Sequence, residues 1–148
     1  MAKSANNFYT LRDLEEKFAN TPKSLLYRAI RLSFMNAKYG ESVDFSFAKL
    51  EQNFINITKF DEAVSKLSSL LQSGTLEPSK FRRDLREELQ DFIGEYVECL
   101  ENDFNMPEAI SVFNAFVSFS NTHVDSGLLS KGEAESIFEM FKTFDFVL

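Results

Sequence analysis

Tryptophan is absent from this 148-residue chain, and cysteine and histidine occur once each, as Cys99 and His123. One thiol and one imidazole exclude an intramolecular disulfide, a Cys/His-rich zinc site and a histidine-assisted cysteine nucleophile with spare partners. The five glycines are scattered, so there is no glycine-rich loop to cradle phosphate. Asp103 with Asn105 is too sparse for a calcium loop, whose ligands are spread over twelve residues. No apolar run approaches the length of a membrane span, and the first residues lack a charged-then-apolar secretory signal. The expected location is cytoplasmic, with no membrane partner.

Excess positive charge is also missing. The net charge is −7, which argues against nucleic-acid binding driven by bulk electrostatics. The distribution is uneven, however. Residues 1 to 50 carry eight Lys/Arg against five Asp/Glu, whereas residues 51 to 148 carry eight against eighteen. Phosphate contacts therefore belong in the first third, and Arg28 and Arg31 are the candidates there.

What the chain has in quantity is phenylalanine, 17 residues, set in helical periodicity. Residues 1 to 9 read as a flexible N-terminal segment. Thr10 and Asp13 resemble a capping box opening a short helix with Leu11, Leu14 and Phe18 on one side. Thr21 is expected to cap the next helix, with Pro22 in its first turn and a buried stripe of Leu25, Leu26, Ala29, Ile30, Ser33 and Phe34. Ser46 opens the longest helix, whose apolar stripe drifts through Leu50, Ile57, Val64 and Leu71. Gly74 suits a left-handed cap, and Glu77-Pro78-Ser79 reads as the start of a helix antiparallel to it.

The Phe81 to Leu100 pattern follows, with Cys99 beside its stripe as a half-buried structural thiol. Glu101 to Ala109 is a corner, where Asp103 and Asn105 are suited to capping and Pro107 to a first helical turn. A helix from Ala109 to about Asn121 comes next, with His123 near its end to stabilise the last carbonyls. Asp125-Ser126-Gly127 is a turn. Ser130 and Glu133 form a second capping box before Ala134, Ile137, Phe138, Phe141 and Phe144. The fold expected is an all-α antiparallel helical bundle of about five to six helices, over residues 21 to 148, with residues 1 to 20 appended. Lys80, Arg82, Arg83 and Arg86 read as a solvated mixed-charge face, with Arg83 and Glu87 spaced for an ion pair.

Two stretches carry a resemblance to a family. Glu101-Asn102-Asp103-Phe104-Asn105-Met106-Pro107-Glu108-Ala109 resembles the Asp-Asp-Phe-Asn-Thr-Pro-Glu-Ala corner in the helical domain of cysteinyl-tRNA synthetases, departing at Asn102 and Met106. Met1 to Leu14 resembles the same family's Lys-Met-Ser-Lys-Ser signature followed by Gly-Asn-Phe-(Phe/Tyr)-Thr-(Ile/Val/Leu)-Arg-Asp-Leu. Between them, Thr21 to Tyr27 keeps the Pro, Leu and Tyr of an Asp-Pro-Glu-Val-Leu-Arg-Tyr segment, and Val43-Asp44-Phe45-Ser46 recovers a further motif. The His-Tyr-Arg group usual before that motif is replaced by Met35 to Ser42.

The resemblance implies a fragment of cysteine-tRNA ligase. Residues 1 to 20 would end the catalytic core and residues 21 to 148 would form a helical domain that helps hold tRNA(Cys). Lys3 would act on ATP as a mobile cation, with Ser4 assisting by hydrogen bonding, while Ala2 stands where the motif has its first Ser. The parent enzyme would use ATP, cysteine and tRNA(Cys) as a monomer. Its zinc ligands would lie outside this chain, and this fragment alone is expected to be inactive. The competing expectation is a stand-alone, non-catalytic helical module that binds tRNA or a protein partner.

Overall fold

The computed structural model describes residues 9–38, 40–43, 45–77 and 81–145; of Asp145 only the backbone is described. Six helices follow one another: α1 (Leu11–Lys17), α2 (Lys23–Met35), α3 (Phe47–Gln72), α4 (Arg83–Glu101), α5 (Met106–Ser126) and α6 (Lys131–Asp145). Among the described residues there is no strand, and the architecture is an all-α helical bundle.

Local chemistry explains where several helices begin. At α1, the Asp13 N–H donates to Thr10 Oγ1 and the Thr10 N–H donates to Asp13 Oδ2 at 2.7 Å, closing the expected capping box. Ser46 caps α3 by accepting from the Lys49 N–H. Ser130 and Glu133 repeat the box at α6. The start of α2 differs from expectation. Pro22, not Thr21, is the N-cap residue, and it makes no side-chain cap. A proline there removes a backbone donor that the first turn would leave unpaired, which reduces the need for a cap.

Two apolar clusters lie along the bundle. In the first, Leu14 of α1, Leu26, Ala29 and Leu32 of α2, Leu50 and Ile57 of α3, and Ile110 of α5 are buried together. The second joins Leu67 of α3 and Leu85 of α4 to Phe113 and Phe116 of α5 and Ile137, Phe141 and Phe144 of α6. Helix α3, at 26 residues, and α5 therefore reach both clusters. The buried face of α2 is rotated from the expected stripe: Leu32 is buried, while Phe34 is 53% exposed. A polar joint fixes that rotation. Asn53 on α3 donates from Nδ2 to Ser33 Oγ at 2.8 Å and to the Ala29 carbonyl at 3.3 Å. Leu11 is exposed as well, so α1 buries Leu14 alone.

Helix pairing also departs from expectation. The long α3 packs chiefly on α2, with α6 and α5 next, whereas α4 packs on α5. The two closely packed hairpins are thus α2/α3 and α4/α5. Gly74 takes the expected left-handed conformation, with φ +66°. The proposed start at Glu77-Pro78-Ser79 is only partly described, because Pro78 and Ser79 lie outside the described residues. Helix α4 itself begins at Arg83.

The corner between α4 and α5 is built differently from its expected capping. Asp103 and Phe104 both sit in the left-handed region, with φ 52° and 50°. There the Phe104 N–H closes onto the Leu100 carbonyl and the Asn105 N–H onto the Cys99 carbonyl, so Asp103 helps end α4 and does not start α5. Asn105 is the N-cap residue of α5 but makes no side-chain cap. Its Nδ2 donates instead to Glu108 Oε2 at 2.5 Å. Pro107 stands in the first turn as expected, and α5 runs on to Ser126, five residues beyond the expected end near Asn121.

Phe104 is 67% exposed, so its ring gains little from burial while its backbone carries left-handed strain. Phe104→Gly should relieve about 1–2 kcal/mol of strain against about 0.5–1 kcal/mol of added chain entropy. A small rise in melting temperature is expected. A fall would mean that the exposed ring makes a stabilising contact.

Candidate nucleic-acid interface

Helices α2, α3 and α6 border an open groove of about 900 Å³. Its lower wall comes from apolar faces: Ile57, Phe60 and Val64 of α3, Phe113 of α5, and Phe138 and Phe141 of α6. Ser65, Ser68, Ser69 and Gln72 continue along α3 as a polar wall. Arg28 and Arg31 line it from α2 and Lys142 from α6, with Asp61 of α3 as the acidic lining residue among those described.

The spacing of α2 explains the two arginines. Residues 26, 29, 32 and 33 face inward, which leaves 28 and 31 on the outer side of the helix, beside α3. Arg28 is held there by a two-point pair, Nη1 to Asp61 Oδ2 at 2.7 Å and Nη2 to Asp61 Oδ1 at 2.8 Å. Both partners are about half exposed, so the pair orients the guanidinium more than it stabilises the fold. Lys142 is anchored by Glu139 at 2.6 Å and lies 5.1 Å over the Phe138 ring. A second depression beside Arg28 is lined by Lys59 and Lys66 of α3 and also by Asp61, Glu62 and Asp125, with Lys66 paired to Asp125.

The structure therefore brings Arg28 and Arg31 to one groove. Lys142 is an addition that the sequence did not mark. Its charge sits in the acidic two-thirds of the chain, and only the packing of α6 on α3 brings it to the groove that Arg31 lines. Lys3 and Ser4 lie outside the described residues.

The other basic group is accounted for by local partners. Arg83 Nε pairs with Glu87 at 2.8 Å as spaced, Arg86 lies over the Phe81 ring, and Arg82 reaches α6. Lys80 lies outside the described residues. Burial raises the Cys99 thiol pKa, and nearby Glu108, Glu98 and Glu95 act in the same direction, so it stays protonated and structural. It is buried, more so than expected. His123 Nδ1 lies 3.0 Å from the Phe119 carbonyl in the last turns of α5. Among the described residues no three His, Cys, Asp or Glu side chains are grouped to hold a metal ion. Among those residues, too, no helix is long and apolar enough to cross a membrane.

Sequence comparison supplies the context for this groove. A protein from Carboxydothermus hydrogenoformans is 28% identical over 139 residues, 94% of this chain, and one from Brachyspira hyodysenteriae is 29% identical over 126 residues, 85% of it. A third, from Methanosarcina mazei, is 26% identical over 144 residues, 97% of the chain. All three are named cysteine-tRNA ligase. The chain is related to cysteinyl-tRNA synthetases. It spans only 25–29% of the length of these ligases, so it corresponds to one segment of them. No protein-family model matches the chain. No solved structure matches it either.

Proposed function

We propose that this chain is the segment of a cysteine-tRNA ligase that carries the end of the ATP loop and the helical tRNA-binding domain. The observation that carries the proposal is the similarity to three cysteine-tRNA ligases across 85–97% of the chain. Residues 1 to 20 would end the catalytic core, and residues 21 to 148 would form the domain that holds tRNA(Cys). In the complete enzyme a cysteine carboxylate oxygen attacks the α-phosphorus of ATP and pyrophosphate leaves. The tRNA 3′ hydroxyl then attacks the carbonyl carbon of the adenylate and AMP leaves.

Within that sequence Lys3 would place its ammonium on the triphosphate as charge moves onto the departing pyrophosphate. A long, mobile point charge suits that role because it acts more strongly on the transition state than on bound ATP. Ser4 would donate a hydrogen bond to the same phosphates. Any zinc of the complete enzyme would have its ligands outside this chain, which offers a single Cys and a single His. The chain alone would not aminoacylate tRNA, and the enzyme would work in the cytoplasm as a monomer.

Arg28 and Arg31 supply the tRNA backbone contacts in this reading. The supporting geometry is their shared groove, which the two arginines line together with Lys142 and Asp61. Affinity for tRNA(Cys) should fall with salt, and Arg28→Ala combined with Arg31→Ala should lower the slope of log K against log salt by about 2, one for each lost phosphate contact. Titrations of labelled tRNA at several salt concentrations measure this. An unchanged slope and affinity would remove the two arginines from the interface.

A further inference from the structure

We propose that the exposed face of α4 is a docking surface for a cationic amphipathic α-helix of a protein partner. That helix would pass its backbone over Gly94, set apolar side chains against Ile93 and Val97, and place lysines or arginines on Asp91, Glu98 and Glu101. A polyanion such as RNA would be repelled from this face.

Four features of the face oppose the stability of α4, and nothing among the described residues offsets them. The first is charge. Between Arg86 and Lys131 the sequence has nine Asp/Glu and no Lys or Arg. Asp91, Glu95, Glu98 and Glu101 are all exposed and stand three or four residues apart along the helix, where like charges repel. Their carboxylates make no ion pair or hydrogen bond with any described residue, in contrast to Glu87, which Arg83 pairs. The second is the helix dipole. The last turn of α4 holds Glu98 and Glu101 and no basic residue, so its negative end faces further negative charge.

The third is Gly94, in the middle of a 19-residue helix. Glycine there costs helix stability relative to alanine, and a Cβ at Gly94 would meet nothing within 4 Å, so the fold itself does not need the space. The fourth is the pair Ile93 and Val97, one helical turn apart and 43% and 44% exposed. Ile93 also borders a depression towards α6 floored by Phe81, Leu89 and Met140, which can take an apolar side chain of the partner.

One occupant relieves all four. Cations answer the unpaired carboxylates and the dipole, the missing side chain at Gly94 lets a second backbone approach closely, and Ile93 and Val97 supply the apolar seam. Asp91 to Glu101 is about 15 Å of helix, so the matching cations recur at helical spacing. A second copy of this chain meeting through the same face would set carboxylate against carboxylate, which selects a different, basic protein.

The test titrates the full 148-residue chain into a fluorescent synthetic peptide of Leu, Lys and Ala, with Lys and Leu on adjoining faces. About 18 residues make such a peptide long enough to be helical, and the same peptide with Glu in place of Lys is the control. Saturable, salt-weakened binding of the Lys peptide alone is expected. Gly94→Gln changes no charge, yet it should raise the melting temperature of the free chain while weakening the peptide roughly ten- to thirtyfold, the loss of a central contact. Glu98→Lys combined with Glu101→Lys should weaken it as well, with helix content unchanged by circular dichroism. Equal affinity in Gly94→Gln would mean diffuse electrostatic attraction and would overturn the docking surface, as would no binding by the unmodified chain. A lowered melting temperature in Gly94→Gln would place the need for glycine inside the fold and overturn it too.

Discussion

Glu133→Ala is expected to lower the unfolding free energy by about 2–4 kcal/mol, among the largest effects of any single substitution near a polar group here. Glu133 is 1% exposed at the start of α6, yet it is fully engaged. Its Oε1 accepts from both the backbone N–H and Nε of Arg82, each at 2.9 Å, and its Oε2 accepts from the Ser130 N–H at 2.8 Å. One carboxylate thereby closes the α6 cap and ties it to the residue preceding α4, 51 positions away. Truncation strands two backbone donors and one guanidinium. Arg82 remains 38% exposed, so water can recover part of its charge, which keeps the loss below that of a fully buried pair.

The same carboxylate makes stability depend on pH. Burial on its own pushes the Glu133 pKa up, but the hydrogen bonds from Ser130 and Arg82 outweigh it and hold the value down at about 2, from an ordinary 4.5. Because the folded value lies below the unfolded one, the stabilisation is complete above about pH 4.5 and is lost as pH falls towards about 2. Urea titrations between those limits should show the wild type approaching Glu133→Ala. Two curves that stay parallel down to pH 2 would mean that the carboxylate is not held ionised by the fold.

Lys3→Ala, made in the complete ligase, is expected to slow cysteine-dependent adenylate formation roughly a hundredfold, the usual cost of removing one group that stabilises transition-state charge. Affinity for tRNA should not change, since Lys3 is assigned to the triphosphate and Arg28 and Arg31 to the RNA. Equal rates of ATP–pyrophosphate exchange in the two enzymes would withdraw Lys3 from catalysis. A parallel loss of tRNA binding would instead point to a folding defect or a shared surface.

Features written within one turn of helix were legible in the sequence. Thr10 with Asp13, Ser46, and Ser130 with Glu133 announce α1, α3 and α6, because an N-cap and its partner are three residues apart and need no tertiary information. The all-α fold follows from the same periodicity. What was not legible depends on contacts between distant residues. The pairing of α2 with α3 and of α4 with α5, the rotation that exposes Phe34, and the bond from Asn53 to Ser33 require two helices to meet. Local pattern cannot state that. Asp103 and Phe104 hide their strain for a similar reason: left-handed backbone at non-glycine residues has no signature in composition. In the candidate site Arg28 and Arg31 were found from charge distribution, whereas Lys142 belongs to the groove only through the packing of α6 on α3.

The most direct measurement is cysteine-dependent ATP–pyrophosphate exchange by the native polypeptide that contains this chain, purified from its source cells by an antibody against the segment and sized at the same time. The account predicts a polypeptide well above 17.0 kDa that exchanges pyrophosphate with cysteine and charges tRNA(Cys). A purified native species of 17.0 kDa that shows no exchange would contradict it, and would leave a helical RNA- or protein-binding module in its place.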